Sequence, residues 1–145
     1  MGGVLAIDHG DLKCGFAITD SLRVALEPLK PLRHEGREER LFEHLEALLA
    51  ERDVSTLLIG MPSNPDGSAG PRARAVQAFL ERLRTRFPEL ELCTFDERLT
   101  TKEAEARLRE AGRSGRAARA ERDSWSALVL LEDWLRSGEP RGPGP

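Results

Sequence analysis

Three carboxylates stand at positions where a charged side chain is unusual. Asp8 ends a short run that is otherwise apolar, and Glu97 follows another apolar run within the sequence Asp96-Glu97-Arg98. Asp123 opens the apolar face of the last predicted helix. Most other charged residues lie on predicted helix surfaces, so location distinguishes these three. If the fold brings them together, they form a candidate catalytic site.

Carboxylates gathered in this way need a compensating charge. Two of them about 4–5 Å apart repel each other by roughly 3–4 kcal/mol at an effective dielectric near 20. A hard divalent cation with oxygen ligands is the natural partner, and Mg²⁺ or Mn²⁺ suits a site made of carboxylates. Two such ions about 4 Å apart can activate water and stabilise the leaving oxygen in phosphodiester cleavage. Convergence of the three residues would therefore indicate a metal-dependent nuclease.

Each carboxylate also has a plain structural interpretation. Asp8 is suited to a turn, Glu97 to the first turn of a helix, where it complements the helix dipole, and Asp123 to a helix N-cap. Participation of a fourth carboxylate, Asp20 or Asp96, stays open.

The histidines and cysteines do not indicate a second catalytic or metal-binding group that would compete with the three carboxylates. His9 alternates with Asp8 along a predicted strand and should face the opposite way. The other two histidines lie in or near a polar helix face. Cys14 and Cys93 sit in apolar stretches and are typical of small core residues in a reducing compartment.

Hydrophobic periodicity predicts the elements that must position these residues. Two apolar runs flank a turn containing Gly and Asp and form a β-hairpin. A weaker extended segment follows, ended by its two prolines, and then helices and strands alternate. The predicted elements are Val4–Ile7, Cys14–Ile18, Val24–Leu32, Glu35–Arg52, Val54–Ile59, Ala73–Phe87, Leu90–Phe95, Thr100–Glu110 and Arg122–Arg136.

This order predicts an α/β fold with a mixed five-stranded sheet and helices on both faces, because strands joined by helices run parallel and hairpin strands antiparallel. Ligands bind such sheets at the carboxyl ends of the central strands. Residues 1–137 are expected to form one domain, followed by a disordered Gly- and Pro-rich tail at 138–145. Residues 60–71 are predicted to be an exposed loop, and Gly112–Arg119 a small, basic and flexible segment.

The length of 145 residues fits a single domain, and the net charge of −3 excludes a global cationic field. Arginine is nevertheless concentrated locally. Residues 72–86 carry five Arg against one Glu and residues 107–122 six Arg against two Glu, whereas 35–53 is acidic. Such polarity fits one-sided contact with phosphates; two solvated helix faces are the alternative. Without a signal sequence or an apolar run of spanning length, the chain is expected to be cytoplasmic and not membrane-bound.

Four sequence blocks occur together in a recognisable order. They are an Asp-x-Gly hairpin at 5–20, a loop with Gly60-Met61-Pro62 and Asp66-Gly67-Ser68, the segment Asp96-Glu97-Arg98-Leu99-Thr100-Thr101, and a last helix led by Asp123. Together they resemble the YqgF/RuvX family, a bacterial group with an RNase H-like fold. That family is identified with Holliday junction resolvases and implicated in maturing the ends of pre-16S rRNA.

The resemblance implies that Asp8, Glu97 and Asp123 are both the catalytic residues and the metal ligands. The expected cofactors are Mg²⁺ or Mn²⁺, as two ions. After the hairpin Asp the family has two consecutive basic residues. This chain has Leu12-Lys13 there, so only Lys13 carries a positive charge. The expected substrate-binding residues are Lys13, Arg72, Arg74, Arg98, Thr100, Arg116 and Arg119.

The leading hypothesis is thus a metal-dependent endonuclease acting on structured RNA such as pre-16S rRNA, with four-way DNA junctions as the other candidate substrate. Asp8 and Asp123 would bind or bridge the metals, and Glu97 would ligate one and position water. A non-catalytic RNA- or ribosome-binding module on the same fold is the second hypothesis. An actin-like ATPase, the third, needs two domains of this kind, and the chain supplies one. The expected assembly is a monomer or a homodimer, since a junction suits a two-fold dimer.

Overall fold

A computed structural model of the chain describes residues 2–62, 70–96, 106, 110 and 115–141, with the backbone alone at 115–123. The helices and strands are β1 Gly3–His9, β2 Lys13–Thr19, β3 Leu26–Arg33, α1 Glu38–Glu51, β4 Val54–Met61, α2 Pro71–Arg86, β5 Glu91–Asp96 and α3 Gly115–Arg136.

The five strands form one mixed sheet in the order β3-β2-β1-β4-β5. The hairpin β1–β2 and the pair β2–β3 are antiparallel, while β1, β4 and β5 run parallel. This confirms the predicted five-stranded mixed sheet. The carboxyl ends of the three parallel strands, at His9, Met61 and Asp96, lie at the same edge of the sheet.

Two apolar clusters, one on each face of the sheet, show why helices cover both faces. Along β1, Leu5 and Ile7 point into a cluster formed with α1 and α2. Val4 and Ala6 point the other way, into a cluster with the apolar side of α3. The alternation follows from the two-residue period of a strand. Both cysteines are buried, as predicted, and neither forms a disulfide.

The third strand differs from its prediction because it continues through both prolines. β3 runs to Arg33 and pairs with β2 along its length, including Pro28 opposite Ala17. The register between β2 and β3 shifts between Cys14 and Phe16 of β2, because β3 has one extra residue there, near Pro31. This extra residue forms a β-bulge. Edge strands and bulges are the places in a sheet that tolerate proline, and β3 is an edge strand with a bulge.

Two helix starts also differ from prediction. α1 begins at Glu38 instead of Glu35, because Glu35 and Gly36 have φ angles of 57° and 78° in the left-handed region. α3 begins at Gly115, so the prediction of a flexible segment is wrong for 115–119, where alanine and arginine favour helix. Asp123 consequently lies inside the helix and is not its N-cap. The predicted helix at 100–110 lies outside the described residues except for Ala106 and Glu110, both helical.

The segment after α3 packs against the body as far as Arg141, although disorder was expected from 138. The indole Nε1–H of Trp134 donates to the Pro140 carbonyl oxygen at 2.8 Å. The Arg141 guanidinium lies 5.9 Å from the centre of the Trp134 indole and forms an ion pair with Glu91 at 3.3 Å. These contacts order residues 138–141; the remainder of the tail, 142–145, is outside the described residues. Within the described part of the chain, no helix combines the length and apolar character needed to cross a bilayer.

Candidate active site

Asp8 lies at the carboxyl end of β1, half-buried, on the face of the sheet that α3 covers. On one side it pairs with Gly15 of β2 across the hairpin. On the other side lies β4, whose described pairing with β1 ends at Ile59, and the next residue of β4 is Gly60. Because glycine has no side chain, neither position covers the Asp8 carboxylate. Glycines in strand interiors often mark such close approach of a ligand.

His9 faces the opposite side of the sheet from Asp8, as the alternation predicted. Its ring stacks on Phe79 with centroids 4.3 Å apart. Burial, helped by the nearby His34 and Arg72, lowers the pKa of His9 from 6.5 to about 4. At neutral pH the ring is therefore uncharged. Because it packs in the core beneath α2, on the face of the sheet opposite the Asp8 carboxylate, it is not a candidate metal ligand beside Asp8.

Gly10 explains the Asp-x-Gly pattern of the hairpin. A Cβ atom at this position would lie 2.5 Å from the carbonyl oxygen of Lys13, far inside van der Waals contact. The chain can therefore turn sharply after Asp8 only with glycine here. The pattern thus has a structural cause that is separate from any contact with a ligand.

α3 is anchored over the hairpin by one buried hydrogen bond. The backbone N–H of Phe16 donates to Ser124 Oγ at 3.2 Å, beside Gly15, the partner of Asp8. Asp123 directly precedes Ser124, so its Cα lies about 3.8 Å from the Ser124 Cα. The fold therefore brings the backbone of Asp123 close to the end of the hairpin that carries Asp8. Sequence reasoning missed Ser124, whose only signal is a polar residue at the start of an apolar helix face.

Lys13 is placed on the same face as Asp8. It begins β2, and the two-residue period puts it with Gly15 and Ala17, which faces α3. Diagonal neighbours across such a pair are about 7–8 Å apart, within reach of a lysine side chain. Lys13 is thus in position to meet a substrate at Asp8.

Arg72 and Arg74, at the start of α2, have different surroundings. Arg72 donates to the His9 carbonyl oxygen at 2.7 Å and lies 3.9 Å from Asp11. Arg74 is exposed and makes no ion pair with a described residue. Among the described residues, Arg72 is therefore engaged by the hairpin turn and Arg74 is not.

The rest of the basic helix face is neutralised by acids, which corrects the predicted phosphate-binding surface on α2. Arg82 forms a bidentate pair with Glu38, and Arg86 pairs with Glu39, at 2.9 Å, and with Glu46. These hydrogen bonds, the one to Glu39 first, raise the pKa of Arg86 above its ordinary value. The acidic face of α1 and the basic face of α2 therefore bind each other, and Arg84 pairs with Glu81 on its own helix.

The remaining predicted site residues are described in part or not at all. Glu97, Arg98 and Thr100 lie outside the described residues, one to four positions beyond the end of β5. Asp123, Arg116 and Arg119 are described by their helical backbone alone. Among side chains that the structure describes, no three of His, Cys, Asp or Glu form a metal-binding group. The donor set predicted from the sequence consists of carboxylates, whose hard oxygens are the ligands that Mg²⁺ and Mn²⁺ prefer.

The fold is shared with a protein of known structure. The chain matches T. thermophilus RuvC, solved in complex with a Holliday junction substrate, with a TM-score of 0.59 at 14% identity over 97% of this chain and 99% of that one. A second Thermus thermophilus RuvC structure matches with a TM-score of 0.53 at 14% identity. At this identity the similarity establishes the fold alone, and that fold is RNase H-like.

Family comparison extends the similarity from fold to sequence. Residues 2–137 match the model of the family described as "RuvX: Holliday junction resolvase", and the chain belongs to that family. A curated relative from Anaeromyxobacter sp. (strain Fw109-5), named "Putative pre-16S rRNA nuclease", is 42% identical over 90% of this chain and 94% of its own length. A relative of the same name from Dechloromonas aromatica is 37% identical over 94% of this chain and 92% of its own length. Members of this family are hydrolases of phosphodiester bonds in nucleic acids.

Proposed function

We propose that this protein is a metal-dependent endonuclease that cleaves structured RNA and takes part in maturing the ends of pre-16S rRNA. The observation that carries the proposal is the position of Asp8. Its half-buried carboxylate stands between two glycine positions at the carboxyl end of β1. The Ser124–Phe16 hydrogen bond fixes the helix that bears Asp123 over the same end of the hairpin.

In this proposal Asp8, Glu97 and Asp123 hold two divalent ions, Mg²⁺ or Mn²⁺. Bound ions of this kind lower the pKa of a water molecule and neutralise charge on the leaving oxygen. Asp8 supplies hard oxygen donors on a rigid strand, which restricts where the scissile phosphate can lie. Lys13, on the same face, is suited to attract and orient the phosphate backbone.

The names of the relatives favour RNA as the substrate, and we propose a cytoplasmic location in keeping with that activity. Arg74, Arg98, Thr100, Arg116 and Arg119 are proposed to contact it along with Lys13. A four-way DNA junction is the second candidate substrate, favoured by the description of the family model. A junction has two-fold symmetry and calls for a homodimer, whereas a single cut in RNA needs only a monomer.

Parallel cleavage assays test the proposal. A pre-16S rRNA fragment and a four-way DNA junction are incubated with the wild type, Asp8→Asn and Asp53→Asn, each with Mg²⁺, Mn²⁺ or EDTA. Asp53 is an exposed carboxylate just before β4, at the opposite end of the sheet, and serves as the matched control.

We expect cleavage of the RNA that requires metal, is lost in Asp8→Asn and is retained in Asp53→Asn. Cleavage of the junction alone would assign the activity to recombination. Equal cleavage by the wild type and Asp8→Asn would overturn the assignment of the site. RNA binding that is unaffected by EDTA, with no cleavage of either substrate, would instead support a non-catalytic binding module.

A further inference from the structure

The turn that follows Asp8 is held by a histidine from outside the hairpin. His34 lies just after β3, is only 4% exposed, and contacts the Gly10 carbonyl oxygen through Nε2 at 2.9 Å. Its Nδ1 accepts a hydrogen bond from the Gly36 N–H at 3.1 Å. Since Nδ1 is an acceptor, the ring proton resides on Nε2, which donates to Gly10. The sequence predicts this histidine in or near a polar helix face, whereas in the structure it is buried between the end of β3 and the start of α1.

Two further hydrogen bonds hold the same turn. Arg72, from the first turn of α2, donates to the His9 carbonyl oxygen at 2.7 Å. The backbone N–H of Glu35 donates to the Leu12 carbonyl oxygen at 2.9 Å. The turn is therefore bound on one side by the segment after β3 and on the other by α2.

These contacts act at the carboxyl end of β1, beyond the last described pair between β1 and β4. The described pairing of β1 with β4 ends at Ile7 opposite Ile59, whereas its pairing with β2 continues through Asp8 to His9. Strand ends open more readily than strand centres, so contacts to the turn that follows add to the fixation of Asp8. Catalytic carboxylates need placement to well under 1 Å, because a misplacement of about that size costs up to 10²-fold in rate.

We propose that His34 and Arg72 are positioning residues for catalysis, which fix the Asp8 carboxylate by holding the carbonyl groups of Gly10 and His9. The inference rests on the proposed nuclease function and goes beyond it, since neither residue touches substrate in this assignment. It also gives Arg72 a role other than the phosphate contact expected from the sequence.

A matched pair of substitutions separates the two hydrogen bonds of His34. His34→Gln places an amide N–H where Nε2 lies and keeps the donor to Gly10. His34→Asn places an amide oxygen where Nδ1 lies, so it keeps the bond from Gly36 but loses the one to Gly10. We expect His34→Asn to lower kcat about tenfold with KM unchanged within about twofold, and His34→Gln to stay within about threefold of the wild type.

Arg72→Met provides an independent test at an exposed position where folding is not at risk. If Arg72 positions the turn, kcat falls and KM and its salt dependence stay as in the wild type. If Arg72 contacts phosphate, KM rises and its dependence on salt weakens. Arg52→Gln, which removes an exposed ion pair with Glu27 at the other end of the sheet, is the control and should leave both parameters unchanged.

A second readout, amide hydrogen exchange of residues 9–14 by NMR, does not depend on catalysis. We expect faster exchange in His34→Asn and Arg72→Met than in the wild type and His34→Gln. Wild-type kcat in both weakened variants, or unchanged exchange at the turn, would overturn the positioning role while leaving the nuclease assignment intact. A wild type that cuts neither substrate would instead contradict the nuclease assignment, and the exchange measurement would then decide whether His34 and Arg72 hold the turn.

Discussion

The hydroxyl of Ser124 accepts a hydrogen bond from the backbone N–H of Phe16 at 3.2 Å, and the two residues are 108 positions apart in the sequence. The contact lies where β3 bulges and its pairing with β2 is irregular. A serine side chain from α3 thus completes the hydrogen bonding of the sheet. The same bond sets the distance between the helix that bears Asp123 and the strand pair that bears Asp8.

Removing this hydroxyl should destabilise the protein and reduce cleavage together. Ser124→Ala leaves a buried backbone N–H without its acceptor, which typically costs about 1–3 kcal/mol. Urea unfolding measures the free energy, and single-turnover cleavage measures the effect on the site. Ser126→Ala is the matched control, because Ser126 is similarly buried at 3% exposure but does not bond to β2 in the described part of the chain. Equal effects of the two substitutions would contradict the anchoring role of Ser124.

The pairing of the α2 arginines predicts that only some of them contribute to binding nucleic acid. Arg74→Gln should weaken binding and lower the slope of log K against log salt concentration by about 0.7–0.9, the value for one lost phosphate contact. Arg86→Gln should leave that slope unchanged, because Arg86 is bound to Glu39 and Glu46. Titrations of an RNA fragment between low and moderate salt give both slopes. If Arg86→Gln lowered the slope as much as Arg74→Gln does, this would show that the glutamates release Arg86 to the substrate.

His9 predicts a loss of stability in mild acid. Burial lowers the pKa of His9 to about 4 in the folded chain, against 6.5 in the unfolded one, so the unfolded state binds the proton first. The stabilising contribution is complete above pH 6.5 and is lost as the pH falls towards 4. Between pH 7 and pH 5 this loss amounts to about 2 kcal/mol at most.

Unfolding of the metal-free protein in urea at pH 7 and pH 5 measures this loss. In His9→Phe, which keeps an aromatic ring against Phe79, the difference between the two pH values should shrink. Burial also lowers the pKa of His44, so a smaller pH dependence should persist in the variant. An undiminished dependence in His9→Phe would show that His9 is not the group responsible.

The ordered residues after α3 predict where the chain can be shortened. Ending the chain at Glu139 removes the Pro140 carbonyl that accepts from the Trp134 indole, and it removes Arg141 from the ring and from Glu91. The buried indole N–H then lacks its partner, which typically costs about 1–3 kcal/mol. Ending the chain at Arg141 keeps all three contacts and should lower the free energy of unfolding much less. Thermal unfolding of the two truncated chains gives the comparison.

Local patterns were sufficient to predict most of the fold. The alternation of β1 predicted that Asp8 and His9 face opposite ways, and the order of strands and helices predicted the sheet with its parallel and antiparallel parts. These features depend on residue periodicity within each element. The family membership inferred from the Asp-x-Gly hairpin and the segment at 96–101 was confirmed by comparison with relatives.

Contacts between distant elements were not predictable in this way. Nothing in the sequence around Arg82 or Arg86 shows that glutamates of α1 neutralise them. The two roles of His34, as donor to Gly10 and acceptor from Gly36, likewise depend on how the end of β3 meets the hairpin turn. The placement of Glu97 and of the Asp123 side chain stays a prediction.

The place of α3 in the chain has a consequence for synthesis on the ribosome. Val4, Ala6 and Ala17 are synthesised well before the helix that covers them, which comes from positions 115–136. Until that helix emerges, one face of the nascent hairpin and the N–H of Phe16 remain uncovered. Protein chains generally fold from the N-terminus as they are synthesised, but here one of the two apolar clusters must wait for α3. A truncated product of interrupted translation would therefore expose an apolar sheet face, which marks it for aggregation or degradation.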